Sequence, residues 1–415
     1  MEESIRLRSE VGKEVHQSLT RLLDLADFEV VGYEQDLAYE RLTLFCVPRF
    51  AYALCPECGR VSERVHQSEQ RVVRDMAAWG MDCYLEFEQR RFMCAECGVP
   101  FSERWIEIEP WRQYTRRYEH YILTQYQQNS ISEIARREGL GYKAAQGIFY
   151  RQAERATNPQ TQAPLSRLGV DEISLKKRHK QFVLVISYLE RGVVLDVLAD
   201  RRKETFEAWL MQWTPAERAA ISEVSIDMWP PYRLAVESCL PNAQLVADRF
   251  HLMQNLNRAV TQARRSLQRD ADSETKEQLK GSRWLLVKNE DALSAEEQAL
   301  LAALYELSPE LAQLHRAKEA FRQIYESAAS RQEAAWRFLD WMYDALQQQL
   351  APLNRFLKTL SNWGEQILNF FNQRTTQGLV EGMNNKIKLI LRRAFGYRNF
   401  DHFVMRLRLE CGSLT

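Results

Sequence analysis

Glycine and proline are scarce in this chain, 16 and 12 of 415 residues. So little punctuation is too thin for a protein made mainly of turns and short strands, and long helices are expected. No uncharged apolar run approaches the roughly 18 residues that a membrane-spanning helix needs, so no membrane partner is expected. The opening text MEESIRLRSEVGKEV is charged and lacks the apolar core of a secretory leader, so a cytoplasmic location is expected. Net charge is lacking too, since 56 Lys and Arg balance 56 Asp and Glu, and overall electrostatics favour no partner.

Charge reappears in the distribution. Residues 111–156 hold eight bases against four acids and 382–410 seven against two, whereas 270–310 hold ten acids against four bases. Basic segments separated by an acidic one suit local contacts with an anionic polymer. The length calls for more than one core, because single cores stop growing near about 250–300 residues.

Cysteine is not scarce. In a reducing compartment, eight cysteines point to metal ligation or packed thiols before disulfides. Four form two pairs, CPECG with Cys55 and Cys58 and CAECG with Cys94 and Cys97. Each sits where a strand ends in a glycine turn, and four thiolates supply the tetrahedral sulfur set of structural zinc. Strand-like text (FEVVGYE, RLTLFCVP, RVVRDMA, YLEFEQRRF) makes residues 1–110 a zinc-binding β module, preceded by an amphipathic helix near 13–25. His66 is expected exposed and outside the zinc set, and Cys46, Cys83, Cys239 and Cys411 are expected packed.

Helical periodicity takes over at 111–157. Tyr118, Ile122 and Tyr126 mark one face, and Ser130 and Glu133 have capping-box spacing. A Gly-Leu-Gly break then precedes a helix carrying Ala145, Ile148 and Phe149 inward. This is helix-turn-helix spacing with the second helix as the reader, offering Lys143, Gln146, Tyr150 and Arg151 to DNA.

After a polar linker the pattern reads β-β-β-α-β-α-β-α over 158–267, with strands near 168–174, 182–189, 193–198, 222–227 and 242–248. A meander followed by crossovers describes an RNase H-like mixed sheet. Residues 268–371 carry only helical text and read as an all-helical insertion; a basic C-terminal helix and tail follow at 372–415. The fold class is a multidomain α+β protein.

Asp171 interrupts the first of these strands, and Asp227 ends the fourth, its expected neighbour. Two adjacent carboxylates repel unless cations neutralise them, and hard oxygen donors suit Mg²⁺ or Mn²⁺. Glu381 can complete a two-metal site for phosphoryl transfer. It lies with Asn384, Asn385 and Lys388 on a helix face opposite Val380, Met383, Ile387, Ile390 and Leu391. Glu172 should point to the other sheet face.

The segments GVDEIS (169–174), SIDMWPPY (225–232), ADRFH (247–251) and VEGMNNKIK (380–388) occur in this order behind the cysteine pairs. Together they resemble the ISL-three-type family of bacterial insertion-sequence transposases over essentially the whole length. The resemblance implies a DDE transposase that binds terminal inverted repeats and cleaves and transfers DNA strands, with Asp171, Asp227 and Glu381 as the metal-binding triad. Asp248 and His251 resemble an Asp/Cys-x-x-His element of related transposases and are expected beside the carboxylates. Trp229 and Tyr232 are expected in the core, with base stacking as the alternative. Lys386, Lys388, Arg392, Arg393 and Arg398 would contact double-stranded DNA. Two DNA ends must be held together, which implies a homodimer. The competing readings are a non-catalytic DNA-binding regulator derived from a transposase and an RNase H-like metal-dependent nuclease.

Overall fold

Alternation of apolar residues sets the first sheet. The chain opens with β1 (Arg6–Arg8), α1 (Lys13–Leu22), β2 (Phe28–Asp36), β3 (Arg41–Pro48), β4 (Ala53–Leu54) and β5 (Val61–Ser62). It continues with β6 (Val65–Arg74), β7 (Asp82–Met93) and β8 (Pro100–Ser102). Helix α1 stops short of the expected residue 25, since Asp24 turns the chain at φ 50°. Cys83, Leu85 and Phe87 of β7 meet Leu42, Leu44 and Cys46 of β3 in one core. The strands run β1-β2-β3-β7-β6 with β8 on β7, while β4 and β5 form a separate ribbon. β6 is longer than its apolar text, because pairing with the long β7 carries it back to Val65 through mostly exposed polar residues.

The computed structural model describes residues 6–8, 13–156, 165–176, 181–374, 378–394, 397 and 399–412. It forms two compact units, Met1–Ala156 and Thr157–Thr415. Most of the linker and Arg398 lie outside the described residues, as does the side chain of Glu381.

The first unit closes with α2 (Arg116–Tyr126), α3 (Ile131–Arg137) and α4 (Tyr142–Ala156). Tyr118, Ile122 and Tyr126 are buried, as are Ala145, Ile148 and Phe149. Gly139 turns between α3 and α4 at φ +60°, a conformation that costs glycine little. The capping box expected at Ser130 is half made: Ser130 accepts the Glu133 amide at 3.2 Å, but Glu133 turns its carboxylate to Arg136 at 2.7 Å.

In the second unit, β9 (Arg167–Lys176), β10 (Gln181–Tyr188) and β11 (Val193–Leu198) form an antiparallel meander. Next come α5 (Lys203–Leu210), α6 (Pro215–Ala220), β12 (Glu223–Ile226), α7 (Pro230–Cys239), β13 (Gln244–Ala247) and α8 (Arg249–Asp270). β12 pairs parallel with β9 and β13 parallel with β12, so the order is β11-β10-β9-β12-β13. Helix α6 is a second helix where the β-β-β-α-β pattern expects one, and its start signals are local: Thr214 and Glu217 close a full capping box with Pro215 at the first position.

The remaining elements are helical: α9 (Ser273–Gln278), α10 (Arg283–Val287), α11 (Ala295–Leu307), α12 (Pro309–Ser327), α13 (Arg331–Gln347), α14 (Asn354–Gln373), α15 (Gly378–Arg393) and α16 (Phe400–Cys411). Residues of α11–α14 share one core with Leu168, Val170, Val224 and Ile226 of the sheet. The opposite sheet face, with Ile173, Val183 and Val185, packs on Ile387 and Ile390 of α15 and Phe403 and Leu407 of α16. Each face of the sheet is therefore covered by helices, and α15 lies on the face to which Asp171 belongs by alternation with Ile173.

Candidate functional site

Strand register brings the two carboxylates together. Ile226 pairs with Val170 in the parallel β12–β9 ladder, so Asp227 and Asp171 follow at equivalent positions and share a face. Asp171 Oδ1 accepts the amide of Glu172 at 2.7 Å, and Asp227 Oδ1 accepts that of Met228 at 2.6 Å. Burial raises the pKa of both, against the charge of His251, which pulls each down.

Helix α8 supplies the cation. Asp248 caps it, accepting the Phe250 amide at 3.1 Å, and its other oxygen lies 2.8 Å from His251 Nδ1. His251 Nε2 lies 3.8 Å from Asp171 Oδ1. Burial lowers the pKa of His251, but the bond to Asp248 and the charges of Asp227, Asp248 and Asp171 overcome it and raise it to about 9. Asp248 is thus at once the cap of α8 and, as expected, part of the group around the carboxylates.

Helix α15 closes the site. Asn384 is buried, and its Nδ2 donates to Asp171 Oδ2, while its Oδ1 is buried with no hydrogen-bond partner among the described residues. Sequence reasoning placed Asn384 on the face of Glu381 but assigned it no contact; only the packing of α15 on β9 reveals one. Two desolvated carboxylates and an unpartnered amide oxygen are hard donors of the kind a divalent cation takes. By themselves, Asp171 and Asp227 are two ligands, and a complete set needs a third.

Glu172 points to the other face as expected, accepting from Tyr232 Oη at 2.7 Å and pairing with Arg201 at 3.0 Å. Tyr232 is fully buried, in line with a core role. Trp229 is not: it is 38% exposed, with the Arg201 guanidinium 4.9 Å from its ring centroid and 4.6 Å from that of Phe182. Trp229 precedes two prolines that start α7, so its side chain stays at the helix entry and outside the core.

In the first unit, the ligand atoms of Cys55, Cys58, Cys94 and Cys97 all lie within 4.8 Å of one another, the one such group of metal-type side chains among the described residues. A tetrahedral zinc with Zn–S of about 2.3 Å places sulfurs roughly 3.8 Å apart, and Cys58 and Cys94 stand at 3.6 Å. The two knuckles repeat one backbone pattern: Gly59 donates to Cys55 O at 2.9 Å and Gly98 to Cys94 O at 3.0 Å, both glycines at positive φ. The Cys97 amide donates to Cys94 Sγ at 3.4 Å and holds that thiol down at about 6, toward the thiolate that a metal takes. His66 is exposed, and the four remaining cysteines are buried.

The expected DNA contacts divide by what already occupies them. Lys143 is exposed, and Gln146 and Tyr150 are half-buried on α4. Arg151 pairs at 2.6 Å with buried Glu119, which also accepts from Gln152, so this arginine ties α4 to α2. Lys386 donates to Glu410 O, and Arg393 pairs with the Glu410 carboxylate, joining α15 to α16. Lys388 and Arg392 are exposed.

The chain matches three family descriptions in tandem. Residues 51–97 match the zinc-finger of transposase IS204/IS1001/IS1096/IS1165, and 107–153 match the helix-turn-helix domain of transposase family ISL3. Residues 168–407 match the ISL3 family described as Transposase. The transposase for insertion sequence element IS1001 of Bordetella parapertussis is 28% identical over 403 residues, covering 93% of this chain and 98% of that protein. The transposase for insertion sequence element IS1557 of Mycobacterium tuberculosis is 24% identical over 409 residues, covering 89% of each. Among the described residues, no helix is long and apolar enough to cross a membrane.

Proposed function

Because the chain belongs to the ISL3 family of transposases, we propose that it cuts and rejoins DNA at the terminal repeats of an insertion sequence, using Asp171, Asp227 and Glu381 as a metal-binding triad. The carrying observation is the pairing of Asp171 with Asp227 at the ends of adjacent strands, with α15 tied to Asp171 through Asn384. Glu381 stands three residues before Asn384 in that helix, hence on the same face. The strand order supports an RNase H-like core, and the helices between α8 and α15 are then its insertion.

Bound Mg²⁺ or Mn²⁺ would activate water and neutralise charge on the phosphoryl group. The remaining work falls to side chains. Asp171 and Asp227 would hold the ions, Asn384 orients Asp171, and Asp248 holds His251 with Nε2 toward the carboxylates, where it can hydrogen-bond a phosphate oxygen. Zn²⁺ in the four-cysteine set is structural, since four thiolates leave no open position. Double-stranded DNA is the partner, and its handling belongs to the cytoplasm.

A homodimer follows from the need to hold two ends. Helix α13 supports it with a stripe of Trp336, Leu339, Tyr343 and Leu346, each 56–63% exposed at heptad-like spacing. Its first half carries Arg331 and Arg337 with Glu333, and its second half Asp340 and Asp344, so an antiparallel second copy would meet opposite charge.

The test is incubation of the purified chain with a duplex bearing the ends that flank its gene, in Mg²⁺. Nicked ends joined to target DNA are expected, and Asp171→Asn should bind the duplex yet yield neither product. Cleavage retained by Asp171→Asn sinks the triad. Nicks without joined products in the wild type favour the nuclease reading, and binding without either product the regulator.

A further inference from the structure

Helix α8 starts at the carboxylates, since Asp248 caps it and His251 lies in its first turn. Its 22 residues extend about 33 Å at 1.5 Å each, close to one turn of B-DNA, about 34 Å. It contains five arginines, and Asp270, its last residue, is its single acid.

Two of those arginines are occupied by the fold. Arg249 pairs with Glu326 at 3.1 Å, and buried Arg264 donates to Leu279 O at 3.1 Å. Arg258, Arg265 and Arg269 are all exposed, at spacing i, i+7 and i+11, with exposed Gln262 between them at i+4. That spacing puts the four on one face, while Leu252, Leu256, Ala259 and Val260 are buried on the other side.

These three arginines lack strong counter-charges. Arg258 is held by side-chain oxygens of Gln254 and Asn255 and by no carboxylate among the described residues. Arg265 has no ion pair among the described residues; Arg269 donates to Ser266 Oγ at 3.1 Å, and its one counter-charge among the described residues is its chain neighbour Asp270 at 3.7 Å, both 74% exposed. Arg265 and Arg269 are also a like-charge i, i+4 pair, which costs a helix a few tenths of a kcal/mol. An open hollow lined by Gln262, Arg265, Ser266, Arg269 and Pro352 lies along this face. Exposed Arg283 adds to the same field: burial, then the charges of Arg265 and Arg283, lower the pKa of Arg264.

We infer that the exposed face of α8, with Arg258, Gln262, Arg265 and Arg269, is a track for the phosphate backbone of duplex DNA running away from the catalytic carboxylates. A row of unneutralised guanidinium groups on a rigid helix matches the periodic charge of a phosphate chain. Guanidinium contacts to phosphate oxygens position the duplex and carry no base sequence. For the identity of the ligand this rests on the transposase reading above.

The test uses the full chain and a short fluorescent duplex of arbitrary sequence, with affinity measured against salt. Arg258→Gln, Arg265→Gln and Arg269→Gln combined keep good helix formers on the face. Three lost phosphate contacts should lower the slope of log K against log salt by about 2.7, so that between 50 and 200 mM salt the wild type loses roughly 40-fold more affinity than the variant. The corresponding lysine triple should keep the slope. An unchanged slope in a folded glutamine variant overturns the inference. Should the triple not fold, Arg265→Gln alone must lower the slope by about 0.9 or the inference fails. A wild type that binds but neither cuts nor joins would count against the function while this comparison could still succeed or fail by itself.

Discussion

Asp171 stands opposite Val185, next on its face to the apolar pair Ile173–Val183, and three neighbours explain how a strand tolerates it. The Glu172 amide, the Asn384 side chain and the field of His251 each favour the charged form, against burial that opposes it. The carboxylate itself was legible in the sequence because a charge breaks an apolar run. Asn384 was not, since its contact joins residues 213 apart in the chain, a pairing that only the packing of α15 on β9 creates. Trp229 was misjudged for a similar reason: its neighbours Ile226 and Tyr232 are core, but the two prolines hold it at the helix entry. Asn384→Ala removes a charge-assisted hydrogen bond worth about 1.5–3 kcal/mol. Cleavage at fixed Mg²⁺ should fall roughly 10- to 100-fold, and the half-saturating Mg²⁺ concentration should rise. A variant that loses thermal stability but keeps the wild-type Mg²⁺ midpoint would make Asn384 a packing residue only.

Among elements, those specified by neighbouring residues were legible and those specified by partners were not. The zinc knuckles repeat one five-residue pattern, and Ser294 and Glu297 form both bonds of the capping box their spacing implies. The first seven residues of β6, by contrast, are polar apart from exposed Val65, and only β7 makes them a strand. The knuckles also have their own small core of Cys55, Phe92, Cys94 and Phe101, distinct from the main core of that unit around Phe28, Leu44, Leu85 and Phe87. Zinc should therefore hold β4, β5 and β8 more than the main sheet. Cys58→Ser should reduce bound zinc below the single ion per chain of the wild type. Amide exchange should then quicken over 53–62 and 94–101 and stay slow at Leu44 and Leu85. Full zinc retention, or equal loss of protection in both cores, would show the four-cysteine set to be something other than a local clamp.

At the scale of the whole chain, composition conceals the features that matter. A net charge of zero contains the arginine face of α8, and the helical text over 268–371 does not show that its residues share a core with the sheet. Linear order separates what packing joins: α14 reaches the sheet edge, where Asn369 donates to Leu245 O at 2.8 Å. What these helices leave uncovered is then informative. On α13, Ala334, Phe338, Trp341 and Ala345 fill the inward face, while Trp336, Leu339, Tyr343 and Leu346 face out. At about 60% exposure and roughly 200 Å² per side chain, the stripe would remove on the order of 1,000 Å² from water across a two-fold pair, near the lower bound for a specific interface. The pairing should then be real but concentration-dependent. Trp336→Gln with Tyr343→Gln removes the two aromatic anchors without touching the inward face, so thermal stability of the monomer should hold. Sedimentation at micromolar concentration should show the wild type dimerising and the variant remaining monomeric, with joining of paired ends lost and single-end binding kept. A variant that still dimerises would move the interface elsewhere on the chain.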